Sequence, residues 1–407
     1  MSTADFLIPG DVTTPLGFLA GGIHCGVKRK SLDLALLTSE SPCAVAGLFT
    51  TNRVKAAPVR HCRHVVARGR ARAVVINSGN ANACTGPRGE RDAEEMARLT
   101  ADALGVPAEE VLVASTGIIG EPLPMSAIRE GIRRVSSGLR RSGTEAALAI
   151  LTTDSFPKVA AAEADIGDVR VRIGGMAKGA GMIHPHLATT LCFLTTDAAL
   201  SPGALDAALR AAVSDSFNRI TVDGDMSTND TVILLANGAA GGDPIDGDAA
   251  LGRFQGALSR VASELAEMVV RDGEGATRVV RFRLAGAASD AEAERGAYRL
   301  AGSLLVKTAL HGGEPNWGRM MAALGSAGIE LAEDRVQIFV GPVQLVRGGL
   351  GVMEARAPAA AQLGRSKVDI RVDLGLGSGE ATVLTCDLSE EYIRINGSYA
   401  AERSAVS

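Results

Sequence analysis

Aromatic residues are scarce in this 407-residue chain, at 3% with a single tryptophan. The arginines at 68, 70 and 72 and the pair Arg140-Arg141 form short clusters without interleaved aromatics, so they read as solvated faces. Charge of one sign is also missing. A formal net charge of −4 gives no electrostatic case for nucleic acid or an anionic membrane. The six cysteines show no CxxC spacing, which excludes a disulfide frame and points to reduced, buried thiols. The six histidines form no ligand pattern, and His184 and His186 merely flank Pro185, so no metal site is expected. No apolar run approaches the roughly 18 residues of a membrane span. Residues 1–10 lack a basic segment followed by an apolar core, so no signal peptide is expected and a cytoplasmic location is the default.

Glycine, by contrast, is abundant at 48 residues, and 46% of the chain is hydrophobic. That combination suits a layered protein with tight turns, close backbone contacts and a sizeable core. Short apolar β-type runs recur at 44–50, 73–76, 111–114, 191–195 and 231–236. Helical spacing appears at Leu205, Leu209 and Val213, and again at Phe254, Leu258, Val261, Leu265 and Met268, with Asp272-Gly273 to close that helix. Past Thr277 the pattern predicts a strand at 279–284, one helix over 290–310 and a strand at 335–340. Val368, Ile370, Val372 and Leu374 alternate with Asp369, Arg371 and Asp373, a half-buried strand. The alanine-rich piece 355–362 reads as a surface connection. Helices fall in groups between strand runs without strict alternation, which favours an α+β fold with mixed sheets.

Chemistry concentrates in one segment. Lys178-Gly179-Ala180-Gly181 sets a glycine-rich turn ahead of Ala188 and Thr189, and an apolar run follows. The turn lacks the spacing of a phosphate loop. Taken alone, 187–194 reads as a buried strand. If the Ala188–Thr189 bond broke, however, Thr189 would carry both a nucleophilic hydroxyl and its own base. The freed α-amine titrates near pH 8, suited to that task. Other stretches stay open at this level. Ser115-Thr116-Gly117 closes an apolar run, where a hydroxyl and backbone amides fit either an oxyanion site or an ordinary turn. Glu274 sits between Gly273 and Gly275, where its carboxylate fits either a partner for a substrate amine or a solvated turn. The stretches His311-Gly312-Gly313-Glu314-Pro315-Asn316-Trp317-Gly318-Arg319 and Asn77-Ser78-Gly79-Asn80-Ala81-Asn82-Ala83 fit either role equally.

Taken together and in this order, these segments resemble the ornithine acetyltransferase family, also called glutamate N-acetyltransferase. The resemblance begins at Gly17-Phe18-Leu19-Ala20-Gly21-Gly22. It continues through Asp33-Leu34-Ala35-Leu36, Phe49-Thr50-Thr51-Asn52, Asn77 to Gly86, Ser115-Thr116-Gly117, Thr152-Thr153-Asp154, Lys178 to Leu191, Asp272 to Thr277 and His311 to Arg319, and it ends near Ile395-Asn396. It implies a layered αββα, N-terminal-nucleophile-like core with a smaller α/β domain at about 280–375. It also implies self-cleavage at Ala188–Thr189, giving an α chain 1–188 and a β chain 189–407 that assemble as α2β2.

The resemblance further implies acetyl transfer from N-acetylornithine to glutamate, in arginine biosynthesis, through an acetyl-Thr189 intermediate. Thr116 and Gly117 match the oxyanion-hole pair. Thr152, Lys178, Thr189, Glu274 and Asn396 match substrate-binding positions. No cofactor is implied, and use of acetyl-CoA as a second donor is left open. Three positions depart from the family pattern. A Thr or Ser is usual where Ala401 stands, Ala-Thr-Met-Leu is usual where this chain reads Ala188-Thr189-Thr190-Leu191, and His186 replaces a polar or small residue. A paralogue acting on another N-acetyl amino acid, and a related amidohydrolase or aminopeptidase, are the rival expectations.

Overall fold

The computed structural model describes residues 6–184, 190–245 and 247–398. Its packing divides into two compact units, one of residues 1–218 with 225–269, the other of 219–224 with 270–407.

The first unit opens with β1 (Leu7–Ile8), β2 (Phe18–Ile23) and β3 (Leu34–Phe49), followed by α1 (Ala57–Ala67) and β4 (Arg70–Asn80). Next come α2 (Gly86–Leu104), β5 (Val111–Ile118), α3 (Met125–Ser136) and α4 (Thr144–Ala149). The hairpin β6 (Lys158–Ile166) and β7 (Val169–Lys178) leads on to β8 (Leu191–Thr196), α5 (Pro202–Ser214), β9 (Thr231–Ala236) and α6 (Asp248–Arg271). The strands hydrogen-bond in the order β1-β6-β7-β8-β9-β3-β4-β5, with β2 added on β3.

Strand β3 makes this sheet into two leaves. Its first part, from Leu34, pairs with β2 and β4, and its last part, from Ala44 to Phe49, pairs with β9. The register shifts between Thr38 and Cys43, where Pro42 has no N–H to give the ladder. Leaf one is therefore β2-β3-β4-β5, and leaf two is β3-β9-β8-β7-β6-β1. Period-two alternation then sorts the side chains. Ala35, Leu37, Val74, Ile76, Leu112 and Ala114 of leaf one share a core with Met176, Leu191, Phe193, Ile233 and Leu235 of leaf two. Their neighbours Leu34, Leu36, Ala73, Val75, Val111 and Val113 face the other way, onto Met96 and Ala97 of α2 and Ile128 and Ile132 of α3. Behind leaf two, Gly175 leaves room for Val261 and Leu265 of α6. The result is the expected αββα layering.

The second unit comprises β10 (Val279–Ala287), α7 (Asp290–Ala301), α8 (Leu304–His311), α9 (Trp317–Gly325), β11 (Gln337–Val340), β12 (Val343–Arg347), β13 (Leu350–Gly351), α10 (Arg356–Leu363), β14 (Lys367–Asp373), β15 (Gly379–Cys386) and α11 (Glu390–Ser398). Its sheet runs β13-β12-β11-β14-β10-β15 and is mixed, with β10 and β14 parallel. Val280, Phe282 and Leu284 alternate with Arg281 and Arg283, so one face builds the core. On the other face, Arg281 pairs with Asp369 at 3.0 Å and Arg283 with Glu380 at 2.7 Å. The fold is thus α+β throughout.

Three local expectations change. The helix foreseen over 290–310 is two, because the chain breaks at Gly302 and Ser303 caps the new start by accepting from Val306 N. The supposed surface connection 355–362 is largely α10, since alanine is a strong helix former and Ala359 and Leu363, four apart, are buried. Not every thiol is buried. Cys84 is exposed and Cys25 half-buried, while the remaining four are buried. Among the described residues no helix is long and apolar enough to cross a membrane, and no three side chains could hold a metal ion.

Candidate active site

In the first unit, the strand ends of both leaves bring polar side chains together. β4 and β5 run parallel, so Ser78 and Gly79 lie beside Thr116 and Gly117. Gly117, at φ +132°, has no room for a side chain. A Cβ there would stand 2.3 Å from the carbonyl carbon of Gly79 and 2.5 Å from the amide nitrogen of Asn80. Buried amides brace the two ends. Ser115 Oγ donates to Asn77 Oδ1 at 2.6 Å, and Asn229 Nδ2 donates to the carbonyls of Ala81 and Ser115 at 2.6 and 2.8 Å. Thr116 is half-buried on this braced edge.

Lys178, at the end of β7, is buried and brings leaf two to the same place. Its ammonium donates to Thr152 Oγ1 at 2.7 Å and to Thr116 Oγ1 at 3.4 Å. A lysine that donates to both hydroxyl oxygens leaves each hydroxyl proton to be donated in turn, and that of Thr152 faces Asp154 Oδ2 at 3.5 Å. Asp154 stands behind this group. Its Oδ1 accepts from Lys158 Nζ and from Gly179 N, each at 2.7 Å. Its Oδ2 accepts from Thr152 N at 2.9 Å and lies 3.8 Å from Lys178 Nζ. Burial pushes the Asp154 carboxyl up, but the neighbouring Lys178 and Lys158 ammonium groups and the hydrogen bonds outweigh it and hold the carboxyl well below the usual range. Lys158 is fully buried and lies 4.9 Å from the ring of Phe156. Lys28 donates to Leu151 O at 2.8 Å, and burial pushes its ammonium down although the carboxylates of Asp33 and Asp154 oppose it. The loop carrying Lys28 hangs on the buried Asp33, which accepts from the amides of Cys25, Gly26 and Lys28 at 2.6–3.0 Å.

Ala188 and Thr189 lie outside the described residues, as does Ala401. The chain resumes at Thr190, which is buried and whose carbonyl accepts from Thr231 N at 3.0 Å.

In the second unit, Glu274 sits on a turn whose next residue, Gly275, has φ +71°. Ser389 Oγ donates to Gly275 O at 2.6 Å. The buried Asp387 accepts from Thr277 N at 2.8 Å and Thr277 Oγ1 at 2.5 Å, and it meets His311 Nδ1 at 2.7 Å. Asn396 Nδ2 donates to Glu274 Oε2 at 2.7 Å, so these two foreseen residues are neighbours. The His311–Arg319 stretch turns the chain from α8 into α9. Asn316 caps α9, and Trp317 lies flat enough against Gly351 that a Cβ there would meet its ring at 2.6 Å.

The structure thus brings Thr116, Gly117, Thr152 and Lys178 together in one unit, and Glu274 and Asn396 in the other. Sequence reasoning places Asp154 in a resembling segment but gives it no role, and it does not single out Lys158 or Lys28. The available signal was a carboxylate and a lysine four apart, Asp154 and Lys158, flanking Pro157 where an apolar strand begins.

Two β leaves face to face between helical layers, with hydroxyls, a glycine that has no room for a side chain and a buried lysine at their strand ends, make a layered αββα fold with the polar groups of an acyl-transfer enzyme at one edge. Comparison with known proteins makes this specific. The model of the ArgJ family matches residues 19–401. A Symbiobacterium thermophilum protein named arginine biosynthesis bifunctional protein ArgJ is 50% identical over 397 residues, 96% of this chain and 99% of its own length. A Geobacter sulfurreducens protein of the same name is 48% identical over 389 residues, 94% of this chain and 98% of its own. A solved chain of Mycobacterium tuberculosis ornithine acetyltransferase, complexed with ornithine, is 45% identical with a TM-score of 0.43, covering 46% of this chain and 98% of that one. The chain belongs to the ArgJ family, and it is an acetyltransferase of arginine biosynthesis acting on small molecules.

Proposed function

We propose that this chain cleaves itself at Ala188–Thr189 and then moves acetyl from N-acetylornithine to glutamate. In the first event Thr189 Oγ attacks the Ala188 carbonyl carbon. The C–N bond breaks, the nitrogen takes the hydroxyl proton, and an ester remains. Water hydrolyses that ester, leaving a carboxylate on Ala188 and a free α-amine and hydroxyl on Thr189. Every later step uses that amine as base and acid.

In the transfer half-reaction Thr189 Oγ gives its proton to the α-amine and attacks the acetyl carbonyl. The oxyanion is met by Thr116 Oγ1–H and the amide of Gly117. The C–N bond of the amide breaks, the leaving nitrogen takes the proton back, and ornithine departs. Glutamate's amine then attacks the acetyl ester and regenerates Thr189. Lys178 and Thr152 receive the substrate α-carboxylate. Glu274, oriented by Asn396, is the counter-charge for the side-chain ammonium of ornithine. The reaction as written needs no cofactor, and acetyl-CoA would enter only as an alternative donor to Thr189. The two fragments stay together and assemble as α2β2.

The observation that carries this reading is the buried Lys178, which donates to the hydroxyls of both Thr116 and Thr152. One buried cation touching an acceptor-site hydroxyl and an oxyanion hydroxyl suits a substrate whose carboxylate and scissile carbonyl lie a few atoms apart. The test pairs mass spectrometry with an acetyl-transfer assay. The purified protein should give two fragments dividing before Thr189, and Thr189→Ala should remain one chain and inactive. An intact, fully active wild-type protein would sink the proposal. Acetate release at the same rate with and without glutamate would replace it with a hydrolase.

A further inference from the structure

The buried carboxylate of Asp154 has partners of an unusual kind. Thr152, through both its amide and its hydroxyl, and Lys178 belong to the carboxylate clamp. Gly179 is the first residue after β7, where the chain heads toward 188–189. Lys158 is a fully buried cation on the start of β6. Lys28, on the loop held by Asp33, carries a further positive charge that interacts first with Asp33 and then with Asp154 and Lys178. The Asp154 carboxylate therefore stands between the ammonium groups of Lys158 and Lys178 and holds them apart.

We propose that Asp154 is a positioning residue with two linked duties: it orients the Thr152–Lys178 pair that takes the substrate carboxylate, and it fixes the Gly179 amide from which the chain enters the cleavage segment. The proposal rests on the clamp and cleavage roles given above. The geometry needs two acceptor oxygens at once. Oδ1 is committed to Lys158 and Gly179, and Oδ2 to Thr152 and Lys178. An amide in the same place offers only one acceptor, and its NH2 must turn either toward the clamp or toward Gly179 and Lys158. Whichever way it turns, one set of donors meets a donor.

Asp154→Asn tests this, together with the double variant Asp154→Asn/Lys158→Met, which removes the cation that the single variant would leave buried beside a neutral amide. Each protein is assayed for KM and kcat with N-acetylornithine and for the rate of division before Thr189. Charge-assisted hydrogen bonds of this kind predict a rise in KM of about 10–100-fold, larger than the fall in kcat, with slower cleavage, in both variants. A role limited to neutralising Lys158 would let the double variant recover wild-type KM and cleavage. That recovery, or wild-type behaviour of Asp154→Asn, overturns the proposal while leaving the reading of the enzyme intact. Failure of the wild-type protein to cleave or transfer acetyl would instead overturn both.

Discussion

Replacing Gly117 by alanine probes the point where β4 and β5 come closest. The added methyl would fall 2.3 Å from Gly79 C and 2.5 Å from Asn80 N, against the 3.4 Å at which ordinary contact begins. Both clashing atoms are backbone, so no rotamer relieves them. The strand ends must part by about 1 Å, a displacement that typically costs about 10²-fold in rate when it moves a reacting group. If the displaced group is the oxyanion donor and is lost outright, the cost rises to about 10²–10³-fold. The backbone at φ +132° adds strain of about 1–3 kcal/mol for a residue with a side chain, and overpacking adds about 1–3 kcal/mol. Gly120, at φ +92° with nothing within 4 Å of its missing Cβ, supplies the control. Gly120→Ala should carry the strain alone. Steady-state acetyl transfer, normalised to cleaved protein, and urea unfolding of both variants separate the effects. Gly117→Ala should lose about 10²-fold in kcat, with the larger fall in urea midpoint, while Gly120→Ala keeps its rate. Equal rates in the two variants would refute the argument that close approach of the strand ends sets the oxyanion geometry.

Phe193, fully buried between the two leaves, should cost about 3–5 kcal/mol on replacement by alanine, and an unchanged thermal midpoint would show that the leaves do not share one core. Stability should also fall in acid. Asp154, Asp33 and Asp387 are each pushed up by burial and pulled further down by their partners, so their folded pKa values lie below the unfolded 3.8. Stability from such groups is present above the unfolded value and is lost as pH drops through the folded one. Asp197 and Asp92, raised by burial, act with the opposite sign and lose their contribution as pH rises. Asp154 is the furthest displaced, so the urea midpoint should decline below about pH 4, and a midpoint that holds or rises there would contradict these assignments.

Strands that are buried on both faces were the most legible part of the sequence. The runs at 73–76, 111–114, 191–195 and 231–236 coincide with β4, β5, β8 and β9, because each faces the other leaf on one side and a helix layer on the other. The alternation at 368–374 was equally clear, since β14 is half solvated. The hairpin β6-β7 escaped notice because its buried positions are largely alanine and glycine, which carry little periodic signal. Gly174 and Gly175 are there for close approach: a Cβ on Gly174 would lie 2.2 Å from Asp11 O. The site was legible only as scattered turns. Thr116, Thr152 and Lys178 are 62 and 26 residues apart along the pairs they form, and nothing in local spacing joins them until the resemblance supplies the set. The role of Asp154 was not legible, although the residue lies in a resembling segment, because its partners Lys178 and Gly179 are tertiary neighbours.

The way β8 and β9 sit in leaf two has a consequence for a chain opened between Ala188 and Thr189. β8 pairs with β7 on one side, β9 pairs with β3 on the other, and the two lie next to each other. A cut after residue 188 puts β3 and β7 on one fragment and β8 and β9 on the other. Neither fragment alone can complete that sheet. The nicked molecule is then a split protein whose halves are held by two full strand interfaces, stable once assembled but forming anew only when halves meet. Its unfolding would start as a unimolecular event and its refolding would be second order, so recovery after denaturation would depend on protein concentration in the cleaved form and be independent of it in Thr189→Ala.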